Sequence, residues 1–169
     1  MKRIRFLAII LAGILMNSCV VLKEPTILKN DKMDQYKYVF VSPTNYLTSG
    51  TGSLYGGQDG KYGSAINKSV NPSDVVKGIL IKEGFISLSE LKPELATETL
   101  IVNYGESGKR YAGFGYPIEV SIQFITAKTN TLVCSCTAEG LGETDADNIR
   151  QAITRCLSGL LSKKDLCVC

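Results

Sequence analysis

The chain has 169 residues with 19 Lys and Arg against 16 Asp and Glu, and three of the bases (Lys2, Arg3 and Arg5) lie in the first eighteen residues. From Cys19 onward the charges therefore balance at 16 against 16, so the remaining domain lacks the basic excess that displaces counterions from nucleic acid, and no nucleic-acid partner is expected. His and Trp are absent, which removes Ser-His-Asp and Cys-His catalysis, His-ligated zinc and imidazole acid-base chemistry, and no cofactor is implied.

Met1 to Ser18 reads as a basic start, an apolar run from Phe6 to Met16 and a polar end, Asn17-Ser18, followed at once by Cys19. As a helix the run would rise about 16 Å, roughly half of a bilayer's hydrocarbon core, so it is a signal core and not a span. The layout resembles a bacterial lipoprotein signal, whose Cys is lipidated and becomes the first mature residue. Ser18 fits that box, Met16 stands in the usual Leu place, and Asn17 departs from the small residue usual between them. The alternative is an ordinary secretory signal with an incidental Cys. Acyl chains on Cys19, at about 0.8 kcal/mol per buried methylene, would make a stable membrane anchor. Residues 20–34 then read as a polar, aperiodic tether. They lack the acidic run that resembles a surface-export tag, so the expected place is the outer membrane, facing the periplasm.

Tyr36 to Ser42 is aromatic and β-branched, stops at Pro43, and predicts a strand. Thr48 to Gly63 is rich in glycine and shows neither helix nor strand period, which predicts a long loop. Asn71-Pro72-Ser73-Asp74 predicts a helix start, with Asn71 as N-cap and Pro72 at N1; Val75, Val76, Ile79 and Leu80 share a face and Gly84 ends it. Phe85 to Leu88 and Thr99 to Tyr104 read as strands joined by a Pro-containing connection. Ile118, Val120, Ile122 and Phe124 alternate with polar residues, the chain turns at Ala127 to Asn130, and Leu132, Cys134, Cys136 and Ala138 resume the alternation, which predicts a hairpin with its apolar side on the even positions. Thr144 caps a last helix whose apolar residues Ile149, Ala152, Ile153, Cys156, Leu157, Leu160 and Leu161 form one stripe. The order predicts one α+β domain over 35–162, a two-layer sandwich of a mainly antiparallel sheet of about five strands with two helices on one face, and a frayed tail over 163–169.

Asn71 to Phe85, Thr99 to Tyr104, Ile118 to Ala138 and the capped helix to Leu161 together resemble an uncharacterised domain-of-unknown-function family of small Gram-negative envelope lipoproteins. The resemblance covers about half the chain and implies this fold and an envelope location. It implies no activity.

Four features bear on chemistry. Gly105-Glu106-Ser107-Gly108-Lys109 is similar to part of a P-loop, but Asn103 stands where the first Gly belongs, Arg110 replaces Ser/Thr and no helix follows, so it reads as a glycine turn between strands and no nucleotide is expected. Cys134 and Cys136 share a strand face and Cys156 lies in the helical stripe; they are either small core residues or a disulfide, if a sheet thiol and Cys156 approach within about 7 Å between Cα atoms. Cys167 and Cys169 form neither a zinc set nor a redox motif, so no metal site is expected. Glu139, Glu143, Asp145 and Asp147 cluster at the last helix start, where its dipole accounts for them. Tyr46, Tyr55 and Tyr62, with Tyr104, Tyr111, Phe114 and Tyr116, are either amphipathic filler or a recognition surface; the partner surface is placed on Tyr55, Tyr62, Tyr111 and Phe114. The leading reading is a non-enzymatic envelope module that binds an envelope protein or glycan. A thiol redox or metal-binding protein using Cys134, Cys136 and Cys156 is the alternative, and a carboxylate hydrolase a remote third.

Overall fold

The computed structural model describes residues 21–57, 60–113 and 115–162, with backbone alone along 50–67. Residues 1–20, with the expected signal and Cys19, and Phe114 and the tail with Cys167 and Cys169 lie outside the described residues. In chain order come β1 (Thr26–Lys29), β2 (Tyr38–Val41), β3 (Leu47–Gly57), β4 (Gly60–Val70), α1 (Pro72–Lys82), β5 (Ile86–Ser87), a 3-10 turn (Pro93–Glu98), β6 (Thr99–Lys109), β7 (Ile118–Thr126), β8 (Leu132–Gly140) and α2 (Asp145–Leu161). A six-stranded sheet has the order β1-β8-β7-β6-β2-β5, antiparallel from β1 to β6 and parallel from β6 to β5. Both helices pack on one face of it and on each other, so the domain is an α+β two-layer sandwich. β3 and β4 pair separately as a two-stranded sheet.

The helices form where local chemistry starts and stops them. Asn71 Oδ1 accepts from Ser73 N at 3.2 Å and Pro72 follows, where its missing N–H is harmless. At the other end Phe85 N donates to Leu80 O and Gly84 N to Ile81 O, both 3.1 Å. This paired closure needs a residue with positive φ, and Gly84 supplies it at +96°. On α2, Thr144 Oγ1 accepts from Asp147 N at 3.3 Å. Six residues of the predicted stripe, Ile149 to Leu160, are buried and Leu161 is partly so.

That stripe lies over the even residues of the hairpin, from Ile118 to Phe124 and from Cys134 to Ala138, all buried. Each of the large side chains contributes about 1.5–3 kcal/mol by leaving water. Pairing runs Phe124 to Cys134 but Ile125 to Leu132, so Val133 is an extra residue, a β-bulge. A Cβ on Gly140 would collide with Asn148 O and lie 2.5 Å from Ala152 N. The backbone of α2 therefore rests directly on the end of β8, and no larger residue fits between them.

Three expectations are corrected. Thr48 to Gly63 is not a loop: its described residues belong to β3 and β4, in register from Leu47 opposite Val70 to Gly57 opposite Gly60. A ladder of backbone hydrogen bonds needs no apolar side chains, so an antiparallel pair outside the main sheet carries no alternation to read. Gly105 to Lys109 is not a turn but the second half of β6, with Ser107 bulged between Glu106 opposite Val120 and Gly108 opposite Glu119. The expected tether contains β1, an edge strand pairing Thr26 with Thr137 and Lys29 with Cys134, and Met33 packs on the core. β1 is exposed along its length, which is why no pattern marks it.

Candidate functional site

The first turns of α2 gather two surface elements. From the β3–β4 hairpin, Ser49 Oγ accepts from Ala146 N at 2.9 Å, Lys68 Nζ meets Asp147 at 2.8 Å and Glu143 at 3.3 Å, and Ser69 O accepts from Arg150 at 2.5 Å. From the β6–β7 side, Lys109 Nζ meets Asp145 at 2.6 Å and Tyr116 O accepts from Asn148 Nδ2 at 3.2 Å. The helix start thus satisfies its own dipole with Asp145 and Asp147 and uses the same carboxylates to hold both elements. Lys68 beside Asp147 keeps that carboxyl below its ordinary range.

Beyond this clamp, Tyr111 and Tyr116 stand at the surface, 67 % and 60 % exposed. Their ring centroids are 5.4 Å apart and tilted by 53°, within the separation at which aromatic pairs attract. Tyr55 and Tyr62 occupy directly opposed register positions near the hairpin end. Tyr46 is exposed and its hydroxyl reaches Asp74 at 3.5 Å. Tyr104 differs: burial, then Glu106, pushes its hydroxyl far above its ordinary range, and it packs against the core. The hairpin and the Arg110–Pro117 loop, separate in sequence, are held at one end of the sandwich.

Glu139 corrects another expectation. It does not belong to the helix start; it lies in β8, directly opposite Glu119 of β7, with its side chain 2 % exposed. Two carboxylates facing each other repel, and cations neutralise them here. Arg110 donates to both oxygens of Glu139, at 2.6 and 2.7 Å, Lys23 N donates at 3.0 Å, and Lys23 Nζ stands 3.4 Å from Glu139 and 3.9 Å from Glu119. The Arg110 fork, opposed by burial, holds the Glu139 carboxyl down at about 2. Arg110 also donates to Val21 O at 3.2 Å, and Arg155 donates to Lys23 O at 2.9 Å. Three long-range side chains thus fix the segment Val21 to Lys23 against the domain. No sequence pattern marks Arg110 or Lys23 for this role, and the only signal is the polar Glu at the end of a strand.

Cys136 and Cys156 form a disulfide, Cα atoms 5.5 Å apart, joining β8 to α2. Cys134 is a buried free thiol with Met33 Sδ at 3.4 Å, and burial pushes it up to about 11. It is therefore neutral at ordinary pH and a poor nucleophile. Among the described residues no three of His, Cys, Asp and Glu gather as a metal-binding group. At the other end of α2, a cavity of about 870 Å³ opens between Lys29 to Asp34, Tyr36, Glu83 to Phe85 and Leu160 to Ser162.

No protein-family model and no curated protein matches the chain. Among solved structures, a PelC dodecamer from Paraburkholderia phytofirmans is similar with a TM-score of 0.47 at 11 % identity, over 83 % of this chain and 99 % of that one.

Proposed function

We propose that the protein is a non-enzymatic lipoprotein of the bacterial cell envelope, anchored through acylated Cys19, at the outer membrane facing the periplasm, and that it binds an envelope protein or glycan. Its relation to the small Gram-negative lipoproteins that it resembles belongs to the same proposal. The observation that carries the binding role is the clamp: two surface elements remote in sequence are fixed on the first turns of one helix. A surface held in place before binding loses less entropy when a partner arrives. The recognition element is the β3–β4 hairpin, with Tyr55 and Tyr62 at opposed register positions. The disulfide and the neutral Cys134 fit structural roles, and no observation favours thiol chemistry over them.

The experiment is photocrosslinking in intact envelopes, from a crosslinker in the hairpin, comparing wild type with Tyr55→Ser/Tyr62→Ser. Loss of a discrete crosslinked species at unchanged melting temperature supports the assignment, and crosslinks that survive the double substitution overturn it. Mass spectrometry of the mature N-terminus tests the anchor: acylated Cys19 is the expected product, and an unmodified product starting elsewhere refutes it.

A further inference from the structure

The anchor has a definite exit from the domain. Val21 O is held by Arg110, Lys23 N by Glu139 and Lys23 O by Arg155, so the chain leaves beside the end of β8, at the edge of the domain that the Arg110 side chain reaches from the start of the Arg110–Pro117 loop. Cys19 is two residues before Val21, and two residues reach at most about 7 Å between Cα atoms. Acyl chains on Cys19 therefore draw this edge, and no other, toward the bilayer.

The same edge carries Tyr111 and Tyr116, in contact through tilted rings and exposed. Tyrosine combines an apolar ring with a polar hydroxyl and concentrates where hydrocarbon meets headgroups. The far end of β7 is different. Its nine residues place the Ala127–Asn130 turn about 30 Å away at roughly 3.3 Å per residue, and Lys128, Thr129 and Asn130 there are polar and exposed.

We propose that Tyr111 and Tyr116 seat on the phospholipid surface beside the anchor, at headgroup level, leaving the β3–β4 hairpin for the partner. The assignment rests on the lipid anchor of Cys19. Docking fixes the orientation of the domain, because a chain clamped as far as Val21 leaves only two residues between the clamp and the acyl chains.

The absence of Trp from the chain permits a direct test. Tyr116→Trp, Tyr111→Trp and Lys128→Trp are made in the full lipidated chain and reconstituted in vesicles of phosphatidylethanolamine and phosphatidylglycerol, with and without brominated acyl chains. Emission from Tyr116→Trp or Tyr111→Trp is expected to be quenched several-fold more than that from Lys128→Trp. Flotation with the vesicles and equal quenching at all three positions, or none, would overturn the docking and leave the anchor standing. Failure of the wild type to float, or flotation unchanged in Cys19→Ser, would overturn the anchor and the docking with it. Quenching at 111 and 116 that grows with protein density would show a second copy at this edge in place of the bilayer, also refuting the proposal.

Discussion

Replacing Glu139 by Gln separates the charge of the buried carboxylate from its shape. In the wild type both carboxylate oxygens accept from Arg110, and Lys23 N adds a third donor. The amide keeps the volume but turns one acceptor into a donor facing the guanidinium. Holding a carboxyl at about 2 when its ordinary value is 4.5 corresponds to about 3 kcal/mol of stability at neutral pH, at 1.36 kcal/mol per tenfold. Arg110 remains 35 % exposed and recovers some hydration when the fork breaks, so the expected loss in Glu139→Gln is about 2–3 kcal/mol. The folded pKa lies below the unfolded one, so this stability is fully present above pH 4.5 and is lost as pH falls toward 2. Urea unfolding at pH 7, 5, 4 and 3 measures it. The two proteins should differ most at pH 7 and 5 and converge as the pH approaches the folded value. Stability curves that stay parallel across that range would show that the fork contributes nothing beyond shape.

The Cys136–Cys156 bridge spans 20 residues, and a loop of that size restricts the unfolded chain by about 3 kcal/mol. Cys136→Ala/Cys156→Ala should therefore melt about 10 °C lower, for roughly 140 ordered residues, and calorimetry checks this. Gly140→Ala places a methyl against the backbone of α2 and should destabilise by about 1–3 kcal/mol. Gly78→Ala, in the exposed interior of α1 with nothing within 4 Å of the new Cβ, should stabilise by about 0.5–1 kcal/mol. Opposite signs in urea unfolding support the packing described, and equal signs would refute it.

Elements built from near-neighbour chemistry are legible in the amino-acid order itself. Asn71-Pro72 and Gly84 bound α1, and Thr144 with its apolar stripe defines α2, because caps and helical periodicity act over a few residues. The alternation on β7 and β8 sets which face is dry, and since both apolar sets are even-numbered, only a register pairing even with even can bury them together. The four-residue turn at Ala127 to Asn130 alone gives the other parity, Ile125 to Leu132. The bulge at Val133 corrects it, and the same shift sets Glu139 opposite Glu119. That pairing, and its neutralisation by Arg110 and Lys23 from distant segments, are properties of the assembled sheet. The β3–β4 ladder and the edge strand β1 escape a reading of the pattern for a related reason: backbone hydrogen bonds hold them, and these leave no mark on side-chain order. Tyr55, Tyr62, Tyr111 and Tyr116 stand out as candidates by residue type, but the hairpin base and the Arg110–Pro117 side are brought together only by Ser49, Lys68, Lys109 and Asn148 meeting a helix start up to 97 residues away. Local periodicity carries no information at that distance; only packing of the sheet against α2 brings these groups together.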